Sequence, residues 1–404
     1  MQRIEMLYEQ VMLRMDMTKE TGEEELQEII RCVIDEEGRK EFLSLGEKIK
    51  ISRELFNAFR RLDILQDLIE DDEITEIMVN GTENIFYEKK GKLYQTDRHF
   101  LSEERLNDVI QQIVGEANRY VNEASPIVDA RLKDGSRVNV VLQPVAVNGP
   151  VMTIRKFPSD AVTMRQLIYM ESLTKEAAAF LEKLVRSKYN IFVSGGTGAG
   201  KTTFLNAMTD FIPKDERIIT IEDNAELQIQ GVANLVRLEA RGPNMEGEGA
   251  VTIRELIRSA LRMRPDRIIV GEVRGEETVD MISSAMLNGH SGSMSTGHAN
   301  NPSDMLYRLE TMMMMGIDLP LQAIQRQIAS ALDIIIHLSR LRDKSRRVMQ
   351  IEEILGYSDG RIQTKTLYEF REEGMENEKI KGCLVKVSEL ENRNKLMAAG
   401  YQKT

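Results

Sequence analysis

The chain has 404 residues, of which 42% are apolar and 29% are charged, a balance typical of a globular protein with two or three domains. Its formal net charge of −11 argues against non-specific nucleic-acid binding, which depends on neutralising phosphates with Lys and Arg. Two cysteines are too few for a zinc module or a disulfide framework, and no apolar run reaches membrane-spanning length. We therefore expect a soluble cytoplasmic protein that reaches any membrane through partners or peripheral contact.

The first 60 residues predict helices. Apolar residues recur at three- and four-residue spacing, as in Ile4, Leu7 and Val11. The acidic run at 23–25 is typical of a solvated helix face or a tether, and an amphipathic docking helix is the alternative. We assign residues 1–60 to a helical N-terminal extension, whose partner the sequence does not identify.

Residues 61–160 predict a smaller α/β domain with antiparallel strand pairs. Two short strand-like runs, 76–80 and 84–88, are separated by a glycine-containing turn, which is a hairpin signal. A helical pattern follows over residues 102–118. Further strands are predicted at 127–132, 137–142 and 151–157.

Three arginines of this domain, Arg131, Arg137 and Arg155, lie on or beside predicted strands. Alternate strand positions face solvent, where arginine costs little, and the spacing alone favours that interpretation. The functional alternative is that these side chains cross a domain interface to reach the phosphates of a nucleotide bound by the next domain.

The strongest signal in the chain follows at residues 190–203. An apolar strand-like run leads into Gly195–Thr202, which match the pattern G-x-x-x-x-G-K-[ST], and helix-forming residues come next. Glycines let successive backbone N–H groups converge on an anion, and the helix start adds its own N–H groups and positive dipole end. We predict that Lys201 reaches the β- and γ-phosphates and that the Thr202 hydroxyl binds Mg²⁺. The predicted nucleotide-binding residues of this loop are Gly195, Gly196, Thr197, Gly198, Ala199, Gly200, Lys201, Thr202 and Thr203.

Alternating strands and helices continue to about residue 300, which predicts a mostly parallel sheet with helices on both faces. The strand 217–221 ends in Glu222, and the buried strand 267–270 is followed by Glu272. Ligand groups gather at the carboxyl ends of such strands. An apolar strand with a carboxylate at its end is the Walker B arrangement. Glu272 is therefore predicted to hold Mg²⁺ through water or to polarise the attacking water.

Residues 288–300 are rich in glycine and serine, which predicts a loop or a short strand flanked by turns. They contain His290 and His298, two of only four histidines. Their spacing fits no common zinc pattern, and no cysteine is nearby. From the residues alone, an ordinary loop position and a γ-phosphate sensor are equally well supported.

The remainder of the chain predicts helices over 302–332, a strand over 333–338 and a hairpin at Asp359-Gly360. The last thirty residues are rich in charge and predict a helical tail. We assign residues 161–375 to a nucleotide-binding domain and residues 376–404 to a charged C-terminal tail.

Taken together, these motifs resemble the ATPases of the type II/IV secretion and pilus-assembly family, and within it the CpaF-type ATPases of tight-adherence pili. The resemblance covers about residues 60–340, and the family's motifs occur in the family's order. It rests on the phosphate-binding loop, on residues 221–226, 264–274 and 289–300, and on supporting stretches at 129–139, 153–157 and 243–248.

The resemblance implies a cytoplasmic hexamer at the inner face of the cell membrane. ATP and Mg²⁺ would lie between a PAS-like N-terminal α/β domain and a RecA-like domain with a mostly parallel sheet. It also implies a polytopic inner-membrane platform protein as partner.

For individual residues, the resemblance assigns Glu222, Asp223 and Glu226 to an acidic Asp box and places His290 and His298 in a His box. The catalytic residues that it implies are Lys201, Glu222, Glu272, His290 and His298. It also implies nucleotide contacts from Arg131, Arg137 and Arg155, which reverses the solvent-facing interpretation, with Arg237 and Arg241 as weaker candidates for an arginine finger.

The sequence departs from the family pattern in two ways. The four-cysteine zinc module of many type II secretion ATPases is missing, which favours the CpaF or conjugation-type branch. Gly297 stands in the His box where relatives often carry a bulkier residue.

The predicted function is ATP hydrolysis that powers pilus assembly or protein secretion through the platform protein. One alternative is a conjugation or DNA-translocation ATPase with the same chemistry, which the acidic charge balance disfavours. The other is a nucleotide-gated scaffold with little hydrolysis.

Overall fold

A computed structural model describes residues 2–15, 21–89, 91–117, 119–132, 134–157, 161–242, 248–287 and 289–401. Lys133, Asn288 and residues 243–247, all within motifs named above, lie outside these ranges. The chain divides into two compact units, Met1–Ser159 and Asp160–Thr404. Within the described ranges, every helix is too short or too polar to cross a membrane.

The first unit begins with helices α1 (Gln2–Arg14), α2 (Glu23–Lys40) and α3 (Leu45–Arg60), which confirm the predicted helical segment. Their apolar faces meet in one cluster, in which Leu7 and Val11 are fully buried. Each such side chain contributes about 2 kcal/mol by leaving water. The acidic run 23–25 lies exposed in the first turn of α2, where carboxylates favour the positive end of the helix dipole.

A six-stranded sheet with the order β3-β2-β1-β6-β5-β4 completes this unit, and all its pairs are antiparallel, as predicted. Leu106 and Ile110 on α5 pack in one cluster with sheet residues. Arg105 donates to the carbonyl of Ala58, so the helices and the sheet are joined, and the predicted boundary at 60/61 falls inside the unit. The further elements are α4 (Gln66–Glu70), β1 (Ile74–Asn80), β2 (Asn84–Lys89), β3 (Lys92–Gln95), α5 (Glu103–Glu116), β4 (Ile127–Arg131), β5 (Arg137–Val141) and β6 (Val151–Arg155).

The second unit contains a nine-stranded sheet with the order β15-β14-β13-β12-β7-β11-β10-β8-β9. The pairs from β12 to β9 are parallel, and those from β15 to β12 are antiparallel. Its strands are β7 (Ile191–Gly195), β8 (Ile218–Glu222), β9 (Leu235–Glu239), β10 (Arg267–Val270), β11 (Met294–His298), β12 (Ile334–Arg340), β13 (Arg346–Ser358), β14 (Arg361–Glu376) and β15 (Lys379–Lys386).

Helices cover both faces of this sheet, because its central strands are apolar at consecutive positions. Ile191 and Val193 pack with residues of α7 (Lys175–Arg186) and α8 (Lys201–Thr209), whereas Phe192 between them packs with residues of the helices on the other face. The remaining helices are α6 (Met164–Tyr169), α9 (Ile253–Ala260), a π-helix (Asp280–Met286), α10 (Pro302–Gly316), α11 (Leu321–Ala331) and α12 (Asn394–Ala398).

The prediction of a helical C-terminal tail is wrong. Strand β15 extends the sheet by pairing with β14, and the predicted boundary at 375/376 falls at the end of β14. In β15, the buried Ile380 and Leu384 lie at even spacing among charged residues, which is the pattern of a half-buried strand. The high charge content hid that two-residue period. The hairpin at Asp359-Gly360 is confirmed, because Ser358 pairs with Arg361.

The side-chain amide of Asn190 joins four segments at the amino edge of the parallel strands. Its Nδ2 donates to the carbonyls of Met286, at 3.0 Å, and Ala331, at 2.6 Å. Its Oδ1 accepts from the backbone N–H groups of Gly292 and Ser293, at 2.8 and 3.2 Å. The amide therefore uses both donors and both acceptor positions on buried backbone groups.

We predict that Asn190→Ala lowers the free energy of unfolding by about 3 kcal/mol, because buried backbone groups lose their partners. Urea unfolding checks this. Gln322→Ala, at an exposed amide on α11, is the control and should change the stability by less than about 0.5 kcal/mol. Equal stability of the two variants would contradict a structural role for Asn190.

Candidate active site

The predicted phosphate-binding loop joins β7 to α8 with the backbone that its glycines require. Gly198 and Gly200 have φ angles of +71° and +89°, which disfavour other residues. A Cβ at Gly195 would lie 2.4 Å from the Leu338 carbonyl oxygen of β12. Gly196, Thr197 and Gly198 are exposed. The loop is therefore an open cradle at the start of a helix, and its shape and backbone fit a phosphate chain.

Lys201 lies under this loop and is 8% exposed. Its Nζ donates to the Gly196 carbonyl at 3.1 Å and lies 3.2 Å from His298 Nδ1. Burial lowers the pKa of Lys201, against the opposing field of Glu272. A partly desolvated ammonium at this position gains most by meeting an anion.

The sheet brings His298 to Lys201. His298 is the last residue of β11 and pairs in register with Gly195 of β7. Burial first, and then the Lys201 charge, lower the pKa of His298 from its usual value, which favours the neutral imidazole. Because an ammonium can only donate, Nδ1 accepts and Nε2 carries the hydrogen.

Glu272 follows β10, the strand beside β11, and completes the group. Its Oε2 accepts from Arg274, with Nη2 at 2.7 Å. Its Oε1 is 2.9 Å from His298 Nε2 but makes no hydrogen bond with it, and this buried oxygen has no donor among the described residues. A buried carboxylate oxygen in that position fits a water molecule or a hydrated Mg²⁺.

The acidic residues at the end of β8 serve different purposes. Glu222 is 3% exposed and accepts from the backbone N–H groups of Glu226, at 2.9 Å, and Leu227, at 3.0 Å. It therefore shapes the loop that follows β8. Asp223 is exposed and lies 3.7 Å from Arg274, which places it at the rim of the same site.

The two histidines of the predicted His box do not meet. His290 precedes β11 and therefore lies at the amino edge of the strands, whereas His298 ends β11 at the carboxyl edge. His290 Nδ1 is 3.0 Å from the Pro265 carbonyl oxygen. Within one chain, this placement does not support a catalytic role for His290 beside Lys201.

Gly297 lies where the packing leaves little room for a side chain. A Cβ there would lie 3.0 Å from side-chain atoms of both Phe192 and Met305, so a larger residue would displace this packing. The close approach keeps β11 against its neighbours, and His298 reaches the loop.

The predicted arginines fall into two sets. In the first unit, Arg137 on β5 lies opposite Arg131 on β4 and opposite Arg155 on β6 in the strand register. The three arginines therefore form a row across the sheet. In the second unit, Arg237 Nη2 donates to the Leu227 carbonyl at 3.0 Å, and Arg241 Nε donates to the Gly249 carbonyl at 2.9 Å. Both of these guanidinium groups hold loops near the sheet edge.

Two site residues escaped prediction from the sequence. Arg274 holds the Glu272 carboxylate, and only its closeness to that residue in the chain could have indicated this. Arg346, in a basic turn, donates from Nε to the Gly198 carbonyl at 2.9 Å. Nothing local in the sequence connects residues 148 positions apart.

We predict that Glu222→Gln changes the pH dependence of stability. Burial raises the pKa of Glu222 from 4.5 to about 7. Between these values the folded protein binds more protons than the unfolded chain, so wild-type stability falls as the pH rises. Gln keeps an acceptor oxygen but does not titrate. From about pH 4.5 to about pH 7.5, the variant should gain on the order of 3 kcal/mol relative to wild type.

Urea unfolding of both proteins at several pH values measures this difference. A difference that stays constant with pH would mean that the Glu222 carboxyl titrates normally.

Comparison with known proteins identifies the family to which the chain belongs. The family model described as "Type II/IV secretion system protein" matches residues 60–398. A Mycobacterium tuberculosis protein named for conjugal transfer is 36% identical over 311 residues, covering 76% of this chain and 87% of that protein. The type IV secretion system protein PtlH of Bordetella pertussis is 30% identical over 324 residues, covering 74% and 94%.

Solved structures agree on the fold. The Legionella pneumophila ATPase DotB has a TM-score of 0.53 at 21% identity and covers 73% of this chain and 80% of its own. The pilus retraction motor PilT, solved with bound ADP, has a TM-score of 0.52 at 22% identity and covers 76% and 81%. With its phosphate-binding loop and the Glu272 carboxylate at one edge of an α/β sheet, the chain belongs to the type II/IV secretion system protein family.

Proposed function

We propose that the chain binds ATP with Mg²⁺ and hydrolyses it, with Glu272 positioning the attacking water. The observation that supports this most directly is the contact chain from Lys201 through His298 to Glu272 at the mouth of the phosphate-binding loop. Phosphoryl transfer to water depends on positioning the reactants and on stabilising charge. Glu272 and Lys201 would supply these two effects.

The groups at the site have different roles in this proposal. Backbone N–H groups of the loop and of the start of α8 bind the phosphate oxygens, and Lys201 neutralises the β- and γ-phosphates. The Thr202 hydroxyl, and Glu272 through water, would hold Mg²⁺, and the ion would supply positive charge to neutralise the phosphates. Glu272 Oε1, which has no donor among the described residues, accepts a hydrogen bond from the water and orients it.

His298 gives this site a way to respond to the γ-phosphate. When Lys201 turns its donors from the Gly196 carbonyl and His298 Nδ1 to phosphate oxygens, His298 loses one of its two neighbours. The imidazole then shifts its interaction toward Glu272, 2.9 Å away. The presence of the γ-phosphate thereby adjusts the position of the base.

Arginines of the first unit complete the site in this proposal. Arg131, Arg137 and Arg155 stand directly opposite one another on adjacent strands, with Cβ atoms about 5 Å apart. The row continues to Glu76 of β1, which lies directly opposite Arg155. The family resemblance is what supports a nucleotide role for the three arginines. We propose that closure of the two units brings this row to the ATP phosphates.

At the level of the assembly, we propose a hexamer of a CpaF-type pilus-assembly ATPase, with a PAS-like first domain and a RecA-like second domain. It would work in the cytoplasm at the inner face of the membrane, through a polytopic platform protein. The family and the motif order support this proposal. Sedimentation velocity of the ATP-bound protein should then give a particle of about six subunits.

Conjugation is the second candidate, because a relative 36% identical is named for conjugal transfer. The net charge of −11 disfavours direct contact with DNA. ATP turnover that rises severalfold on adding DNA would favour this alternative over pilus assembly.

We predict that Glu272→Gln lowers kcat by at least about 10²-fold and changes the Kd for ATP by less than about threefold. The amide keeps the size of the side chain but cannot accept a proton. Phosphate release and calorimetric ATP binding measure the two quantities. Glu276→Gln is the matched control, because that carboxylate pairs with Arg254 and not with the site.

If wild type and Glu272→Gln turn over ATP equally, Glu272 is not the base. If wild type binds ATP but hydrolyses it no faster than the variant, the chain acts as a nucleotide-gated scaffold.

We predict that Arg137→Ala lowers kcat/KM for ATP by at least about 10²-fold, because phosphate-contacting arginines contribute strongly in the transition state. Arg98→Ala, at another arginine of the same unit that pairs with Asp67, should leave the rate unchanged. Steady-state kinetics with a thermal unfolding check distinguish lost chemistry from lost folding. Activity retained in Arg137→Ala would remove the first unit from the catalytic proposal.

A further inference from the structure

A basic hairpin reaches the phosphate-binding loop from the flank opposite Glu272. Strand β7 has β11 on one side, with His298, and β12 on the other. Leu338 of β12 pairs with Gly195, so the chain beyond it, Arg340 included, continues past the carboxyl end of β7. The turn then leads into β13, which begins at Arg346.

Two guanidinium groups of this hairpin stand beside the loop. Arg340 and Arg346 face each other across the β12–β13 ladder. Arg346 Nε donates to the Gly198 carbonyl at 2.9 Å. A Cβ at Gly200 would lie 3.2 Å from Arg346 Cδ, and a Cβ at Gly198 would lie 3.9 Å from Arg340 Nη1. Gly200 therefore admits Arg346 close to the loop backbone, and Arg340 lies within van der Waals range of the Gly198 position.

The hairpin is held by contacts with other segments of the second unit. Asp343 accepts from the backbone N–H groups of Ser345 and of Ile380 on β15, both at 2.9 Å. Arg347, next to Arg346, is buried and pairs with Glu171 at 3.0 Å. The C-terminal strands thus fix the place from which Arg346 reaches the loop, and a fixed donor loses little freedom on binding an anion.

We propose that Arg346, with Arg340 beside it, binds the nucleotide at its α-phosphate end. This inference rests on the proposed nucleotide site. A phosphate chain in the loop with its γ end toward Glu272 has its α end toward the opposite flank, where the β12–β13 hairpin lies. A guanidinium stays charged and matches phosphate oxygens in geometry, which suits Arg346 to the role.

Direct phosphate binding and mere bracing of the loop predict different substitution patterns. Arg346→Gln keeps an N–H donor for the Gly198 carbonyl but removes the charge. Arg346→Lys keeps the charge with a different donor geometry. Arg342→Gln is the matched control, because Arg342 lies on the same turn and pairs with Glu372 at 2.9 Å.

We predict that Arg346→Gln raises the Kd for ADP and for ATP by the same factor, about tenfold or more. Arg346→Lys, which keeps the charge but not the planar donor geometry, should lose less affinity than Arg346→Gln, and Arg342→Gln should be unchanged. Because the α-phosphate is common to both nucleotides and distant from the reacting bond, KM should rise while kcat stays within about twofold. Calorimetry with ADP, calorimetry with the non-hydrolysing Glu272→Gln protein and ATP, and steady-state kinetics provide these values.

Unchanged ADP binding in Arg346→Gln, with binding intact in wild type, overturns the inference. So does weaker binding of ATP alone, which would place Arg346 at the γ-phosphate. Equal losses in the Gln and Lys variants would mean that the positive charge of Arg346 does not act on the phosphate, which also overturns the inference. Failure of wild type to bind either nucleotide would instead overturn the proposed function.

Discussion

One row of paired residues in the central sheet determines the geometry of the candidate site. Gly195, at the end of β7, pairs with His298 on one side and with Leu338 on the other. Parallel pairing makes these three strands end together, so the phosphate-binding loop, the histidine and the basic hairpin emerge at one edge. A shift of one residue in either ladder would turn His298 to the opposite face of the sheet or move the carbonyl of Leu338 from its contact with Gly195. The hydrophobic layers on the two faces keep that register.

Beside this row of paired residues, four polar side chains contact one another in succession. Lys201 and Arg274 are the first and last of the four, with neutral His298 and anionic Glu272 between them. Each neighbour affects the others: Lys201 lowers the pKa of His298, and Glu272 opposes the lowering of the pKa of Lys201 that burial causes. Because Lys201, His298 and Glu272 are partly buried, water screens their interactions less than it screens the exposed Arg274. An anion arriving at Lys201 therefore changes the electrostatics at Glu272 without any movement of the backbone.

Local patterns in the sequence were sufficient for much of the fold and part of the site. Strand, glycine loop and helix identified residues 191–209, because phosphate-binding chemistry constrains consecutive positions. Glu272 was predictable because it directly follows an apolar strand. The helical segment before residue 60 and the antiparallel sheet of the first unit were also predictable, since each element carries its own period.

Other features depend on partners that are distant in the chain. The placement of His290 depends on which end of β11 it occupies, and the pattern of a loop does not reveal this. Charged residues masked β15, which is stabilised by pairing with β14. Arg346 meets Gly198 because β12 lies beside β7, a neighbour relation that the order of elements does not specify. The nucleotide role of the arginine row in the first unit rests on the family resemblance and stays a prediction.

Strand β13 has a mechanical consequence. It runs for 13 residues from Arg346 to Ser358, and at about 3.3 Å per residue it extends roughly 40 Å along its path. One end touches the phosphate-binding loop, and the other ends at the exposed turn with Asp359 and Gly360. Its residues 346–353 pair with β12 and its residues 350–358 pair with β14, so the whole strand is tied into the sheet. One continuous, hydrogen-bonded backbone therefore links the phosphate-binding loop to a surface roughly 40 Å along the strand.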